Sequence, residues 1–385
     1  IQSPEGSYST YYEFGTDLKG IDQKGAYLTR EYNIVEGQEV SKRYAYNRNT
    51  GGITAETNGR GNHTEYEYDV LDRVIKLTNP DGTTKNYSYQ DFPYENKKIE
   101  YTDPEGTKFL YVYDIAGNLV KAGVYDNNTW MNLKTIEYDY WDNKTKETDS
   151  NNHSTQFIYN SKGRLVKKRY YENNTILKAE STLAYSYGTS AETPLLVTIT
   201  DEEGYVQKFH YDLEERLVKS ELSPDNAAFY TTTFRYDYIG NKISSTDARN
   251  NTSTFTYDEL GRLIEKKEPL GITTKYTYNS MNNVIIIESP GNKVIEYVYD
   301  EAARVSMEKT YEKGSDNYAF KAMVYDGANN VVKVTQGSHR DGEDTVLSET
   351  DFVYNSMNLL TDEYRKVDTD TTAHIHYDYD NNGRK

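Results

Sequence analysis

A tyrosine followed by Asp or Asn, with a turn-forming residue three places further on, recurs along nearly the whole chain. Its fullest copy is Tyr257-Asp258-Glu259-Leu260-Gly261-Arg262-Leu263-Ile264. Clean copies begin at Tyr68, Tyr113, Tyr138, Tyr159, Tyr211, Tyr236, Tyr257, Tyr278, Tyr299, Tyr325, Tyr354 and Tyr379, and degenerate ones at Tyr46, Tyr89 and Tyr187. Successive starts lie 21 to 29 residues apart. A period in this range marks a repeat architecture, so the chain is read as one small unit used many times.

Each unit reads as a β-hairpin. Before the tyrosine the pattern alternates, with Phe255 and Tyr257 on one strand face and Thr254 and Thr256 on the other. An aromatic stands two residues ahead of the tyrosine in most copies, as at Tyr66, Phe157, Phe234 and Phe352, with Ile136 and Met323 as apolar exceptions. After the tyrosine comes Asp (69, 114, 139, 212, 237, 258, 300, 326, 380) or Asn (160, 279, 355), side chains that start turns by bonding the backbone two residues on. Three residues later stand Gly117, Gly163, Gly240, Gly261 and Gly383, or Asp72, Asp142, Asn282, Asn329 and Asn358, the types that best tolerate positive φ. Glu215 and Ala303 depart from that rule. A three- to five-residue loop ending in a left-handed residue fits the pattern. The second strand ends in another turn, as at Asn79-Pro80-Asp81-Gly82, Glu268-Pro269-Leu270-Gly271 and Ser289-Pro290-Gly291-Asn292. No stretch holds a helical period for three turns.

Composition agrees with an ordered, wet sheet. Of 385 residues, 40 are Tyr and only 36% are hydrophobic, yet disordered chains lack aromatics. A phenol ring buries its body and leaves its hydroxyl in water, so stacked tyrosines can hold a solvated sheet. The absence of Cys removes disulfides and thiol chemistry. No apolar run reaches membrane-span length and no signal peptide is seen. The net charge of −17 argues against a nucleic-acid partner. Runs such as Lys266-Lys267 read as solvated strand faces.

Along the chain, residues 1–43 read as degenerate lead-in strands and 44–385 as an array of about 14 to 15 repeats, the last truncated, without a domain boundary. An irregular insert surrounds Phe92-Pro93, residues 170–210 are the loosest stretch, and 337–342 suggest a protruding hairpin loop. Starting at Ile1 and stopping just past a turn, the chain reads as a fragment of a longer protein.

Candidate chemistry is sparse. Asp69/Arg73, Asp212/Arg216, Asp258/Arg262 and Asp300/Arg304 could suggest acid–base work, but Asn stands for Asp at 160, 279 and 355 and for Arg at 118, 143, 241, 283 and 330. A hydrogen-bonded turn survives those exchanges and proton transfer does not. Asp378-x-Asp380-x-Asn382-Gly383 matches half a calcium loop but is also the last repeat. His374 and His376 share a strand face, yet no third metal ligand follows at a useful spacing. Glycosylation sequons at Asn62, Asn86, Asn127, Asn143 and Asn250 are what an Asn-rich chain yields by chance. The residues thus carry no catalytic, cofactor or metal assignment, and Tyr159-Asn160-x-x-Gly163-Arg164 and its fellows are read as structural.

Copies such as Y-D-E-L-G-R-L-I (257–264), Y-N-S-K-G-R-L-V (159–166) and Y-D-I-A-G-N-L-V (113–120) resemble the YD repeat of the Rhs family: bacterial polymorphic toxins, wall-associated proteins, the C component of insecticidal ABC toxins, and teneurins. The resemblance runs from about residue 44 to 385. It implies an all-β, long coiled antiparallel sheet forming part of a hollow shell. Sheet physics agrees: about 14 hairpins at ~4.8 Å per strand make a strip on the order of 130 Å wide, and twisted sheets beyond about ten strands curl. The resemblance further implies a non-enzymatic, secreted or cell-surface bacterial protein whose partners are the remainder of its own polypeptide, including a C-terminal effector, with adhesion or carbohydrate binding as the alternative. Self-association through open strand edges is expected. Bacterial members end in a self-cleaving aspartyl-protease segment with paired D-P-x-G motifs. Asp103-Pro104-Glu105-Gly106 matches one half, but its counterpart begins with Asn79, so an inter-hairpin turn is the reading.

Overall fold

The computed structural model describes residues 10–35, 38–91, 96–187, 195–223, 228–367 and 371–385; the insert at Phe92-Pro93 lies outside them. Among these residues every regular element is a β-strand except one 3-10 turn, Pro269–Gly271. The 31 strands belong to one sheet in which chain neighbours pair antiparallel, from Tyr11–Phe14 against Leu28–Val35 to Leu360–Lys366 against Thr372–His376. Contacts divide the chain into two units. One comprises Ile1–Ser88, Tyr101–Thr107 and Tyr276–Lys385, and the other Tyr89–Glu100 and Lys108–Lys275.

The repeat tyrosine closes the first strand of its hairpin. Eleven of the twelve clean copies are the last residue of a strand, as in His63–Tyr68 and Thr252–Tyr257, and Tyr379 follows Thr372–His376. Alternation survives as half-burial: Phe255 and Tyr257 are half-buried, Thr254 and Thr256 exposed. Fully buried apolar residues are few, among them the facing pair Ala45 and Ala55, Leu110, Val112, Ile136 and Val294. Stability rests on many half-covered aromatic and aliphatic rows rather than on a closed core.

Two departures from the sequence reading follow from local turn chemistry. Residues 337–340 are strand, not loop: Val331–Arg340 pairs with Glu343–Tyr354 across a two-residue turn, Asp341-Gly342, with φ of 54° and 86°. An Asp-Gly pair with both φ positive matches the twist of the strands it joins, so the hairpin lengthens instead of looping out. The lead-in hides another copy of the repeat turn: Asp17 Oδ1 accepts from the N–H groups of Lys19 and Ile21, and Gly20 is left-handed. Thr16 stands there where other copies have tyrosine, which is why the pattern missed it.

Candidate functional site

The recurrent site is the turn. In Tyr257-Asp258-Glu259-Leu260-Gly261-Arg262 the Gly261 N–H donates to Asp258 O, and the Asp258 N–H to Arg262 O. The pairing slips by one residue at Tyr257. This is a type I turn closed by a left-handed residue in a bulge. The fourth residue after the tyrosine has positive φ in all twelve clean copies, Glu215 (60°) and Ala303 (58°) included. A Cβ is disfavoured there, so Ala303→Gly should stabilise the chain by about 0.5–1 kcal/mol in denaturant unfolding, the relief of a left-handed side chain less the entropy that glycine adds.

The aspartate is spent on holding the turn. Asp258 Oδ1 accepts from the N–H groups of Leu260 (3.0 Å) and Arg262 (2.9 Å), and Oδ2 from Arg262 Nε (2.7 Å). Asp69/Arg73, Asp212/Arg216, Asp300/Arg304 and Asp380/Arg384 repeat this pattern. Where Asn replaces Arg, its amide still reaches the carboxylate, as from Asn118 to Asp114, Asn143 to Asp139, Asn241 to Asp237 and Asn330 to Asp326. Where Asn replaces Asp, its Oδ1 still takes the two backbone N–H groups, as at Asn160, Asn279 and Asn355. The tolerated swaps are those that conserve the turn's hydrogen bonds.

The same box closes the opposite ends of the hairpins, at Asn58, Asn79, Asp103, Asp149, Asp201 and Asp247. Asp103 Oδ1 accepts from the Glu105 and Thr107 N–H groups. The half-matching D-P-x-G thus sits in an inter-hairpin turn, and the Asp380-Asn382-Gly383 half of the calcium pattern is likewise a repeat turn.

These bonds hold carboxylates below the ordinary aspartate value of 3.8: the Arg73 side chain does so at Asp69, the Asn143 side chain at Asp139, and the Arg262 N–H at Asp258. A folded pKa depressed below the unfolded one gives stability that is present above the unfolded value and lost as pH falls through the folded one. Unfolding midpoints should therefore hold steady above about pH 5 and drop progressively below about pH 4, measurable by urea melts across pH.

The tyrosine hydroxyls are not left to water. In ten copies (Tyr46, Tyr68, Tyr138, Tyr159, Tyr236, Tyr257, Tyr299, Tyr325, Tyr354, Tyr379) the hydroxyl donates to a main-chain carbonyl at 2.6 to 3.2 Å. The acceptor is in each case the first residue of an earlier strand, as with Lys242 O for Tyr257. The expected wet hydroxyl is corrected: half-burial leaves that carbonyl short of water, and the phenol supplies the donor at a net gain of about 1 kcal/mol per bond. Arginines extend the bracing. Arg216 and Arg304 lie over the rings of Tyr236 and Tyr325 and donate to Asp237 O and Asp326 O of the following turn, and Arg164 lies over Tyr185.

Within the unit that holds both early and late repeats, the strip meets itself. Gly59 and Gly327 are in backbone contact, each occupying the space a Cβ on the other would need. Arg60 donates to the carbonyls of Tyr354 (3.0 Å) and Asn355 (3.1 Å) and faces Asp326 at 3.5 Å. Asn382 donates to Asp103 Oδ2 at 2.8 Å, and the Asn381 N–H meets Glu105. A cleft of ≈ 380 Å³ lined by Lys42, Tyr44, Glu56, Asn79 and Met357 lies along this seam.

His374 and His376 do acquire a third donor. Asp362 lies opposite His376 on the neighbouring strand, and its Oδ1 is 2.8 Å from His374 Nε2 and 2.7 Å from His376 Nδ1. Bonds from His376, then His374, pull Asp362 down to about 2. The signal was strand pairing, which residue spacing does not carry.

Fold and site together define a tandem β-hairpin repeat protein whose recurring side chains build turns and brace neighbours. Residues 137–318 match the family model described as teneurin YD-shell, and residues 46–84 match that described as RHS repeat. These two segments are thus similar to RHS/YD-repeat sequences. No curated protein matches. Among solved structures, a crystal structure of TcdB2-TccC3-TEV is 14% identical over 94% of this chain and 26% of its own, with a TM-score of 0.48. A Photorhabdus luminescens Tc holotoxin pore carrying a TccC3 mutation is 15% identical over 94% and 24%, with a TM-score of 0.39. The chain spans about a quarter of the length of these solved chains.

Proposed function

We propose that this chain is a non-enzymatic wall segment of a secreted or cell-surface protein, which with the rest of its polypeptide encloses or presents an effector domain. The seam carries the reading: a strip whose early repeat, through Gly59 and Arg60, seats on repeats some 300 residues later is suited to bounding a space. The commitment of the repeat's Asp, Arg and Tyr groups to turns and bracing supports a role without catalysis. Limited proteolysis of the full-length protein tests it. The adjoining effector region should resist digestion in the wild type and become cleavable in Gly59→Arg; equal digestion in both would overturn the enclosure.

A second reading, adhesion or carbohydrate binding, is favoured by one observation. Tyr140 and Trp141 crown their turn 92% and 77% exposed, edge to face at 5.8 Å, as platforms for a sugar ring. A glycan array with wild type and Trp141→Ala separates the two, since saturable binding lost in the variant belongs to this reading alone. Self-association is also expected. The strand Thr372–His376 is exposed along its length and pairs, among the described residues, with Leu360–Lys366. Light scattering should show dimers or larger species as concentration rises, and a strict monomer would count against it.

A further inference from the structure

We propose that Asp362, His374 and His376 form a binding site for a divalent transition-metal ion of the zinc class. Two features of the ladder create it. His374 and His376 are two residues apart on one strand, which puts both rings on the same face. Asp362 pairs directly with His376 across the ladder, which brings its carboxylate up on that face. One donor atom from each of the three residues lies within 4.8 Å of the other two.

Two imidazole nitrogens and one carboxylate oxygen are the donor set that zinc, cobalt and nickel accept. Tetrahedral bonds of about 2.0–2.1 Å place donors roughly 3.3 Å apart. The Asp362–His separations of 2.7 and 2.8 Å need to open by about half an ångström. Both imidazoles are about half exposed, at 46% and 53% of the side chain, so the rings have room to withdraw. Water would complete the coordination.

The surroundings are those of a supported site. His376 turns its other nitrogen, Nε2, to Asp378 Oδ1 at 3.2 Å, the carboxylate–histidine arrangement that fixes a ligating ring's tautomer. The His374 ring stacks on Tyr364 at 4.4 Å and 8°, which sets its plane. Asp362 belongs to Leu360–Lys366 and the histidines to Thr372–His376, so a bound ion would staple two adjacent strands. This proposal stands independently of the wall reading.

The test uses the whole chain, stripped with a chelator and titrated with Co²⁺ and then Zn²⁺. One equivalent of Co²⁺ should bind with visible d–d absorption, and Zn²⁺ should displace it. Zn²⁺ should raise the melting temperature, because an ion that binds only the folded chain stabilises it. His374→Ala, His376→Ala and Asp362→Ala should each lower affinity by more than about 100-fold, and Asp378→Asn by about tenfold. His153→Ala, remote in sequence, should leave binding unchanged. Circular dichroism checks that the variants fold, and His374→Asn, His376→Asn or Asp362→Asn replaces the corresponding alanine variant if it does not. Failure to saturate at one equivalent, or wild-type affinity in the three ligand variants, would overturn the site.

Discussion

Gly59→Ala should destabilise the chain by about 3 kcal/mol, the upper end of what inserting a methyl into a packed site costs. The space that Cβ would enter holds the carbonyl oxygen of Gly327, with Val40 Cγ1 2.7 Å away. A flexible side chain can step aside, but a backbone carbonyl moves only with its strand. Hydrogen exchange should rise at 58–62 and 354–359, where Arg60 loses its acceptors. Gly15→Ala is the control: its Cβ meets nothing within 4 Å, so a change under about 0.5 kcal/mol is expected. Equal melting curves and equal exchange for Gly59→Ala would remove the seam from the account.

Asp300→Ala should cost about 2–3 kcal/mol, and Asp300→Asn about 1. The carboxylate is 11% exposed and its partner Arg304 15%, so this pair is less wetted than a surface ion pair. Alanine removes the acceptor for the Ala302 and Arg304 N–H groups and leaves the guanidinium without its carboxylate. Asparagine keeps the two backbone bonds, as it does at Asn279 and Asn355. Arg304 also donates to Asp326 O (3.1 Å) and Asn329 Oδ1 (2.9 Å), and Asp326 faces Arg60 at the seam. A double-mutant cycle of Asp300→Ala with Gly59→Ala should therefore show coupling above about 0.5 kcal/mol. Urea unfolding supplies each value, and an Ala variant no worse than the Asn one would contradict the turn's role.

Much of the fold was legible because the repeat encodes it locally. Tyrosine at the strand end, Asp or Asn opening the turn, and Gly or Asn in the left-handed position are each dictated by bonds within five residues. Even the exceptions obeyed: Glu215 and Ala303 adopt the left-handed conformation because ten better-suited copies fix the same register on either side. The two-residue Asp341-Gly342 turn obeys the same local rule, and Gly337 is a strand glycine at a pairing irregularity.

What the residues alone determined is the unit: its strands and its turns. What tertiary structure decided is where units meet. The tyrosine hydroxyl's acceptor lies 15 to 23 residues upstream in most copies, as in Tyr257 to Lys242 and Tyr354 to Val331. Asp362 reaches the histidines only through strand pairing. Gly59 meets Gly327 only because early and late repeats pack within one compact unit. Local bonds leave a mark on spacing because the backbone between them is short and its geometry fixed; contacts made across the sheet depend on the twist accumulated over every intervening strand, and no single stretch of sequence records that sum.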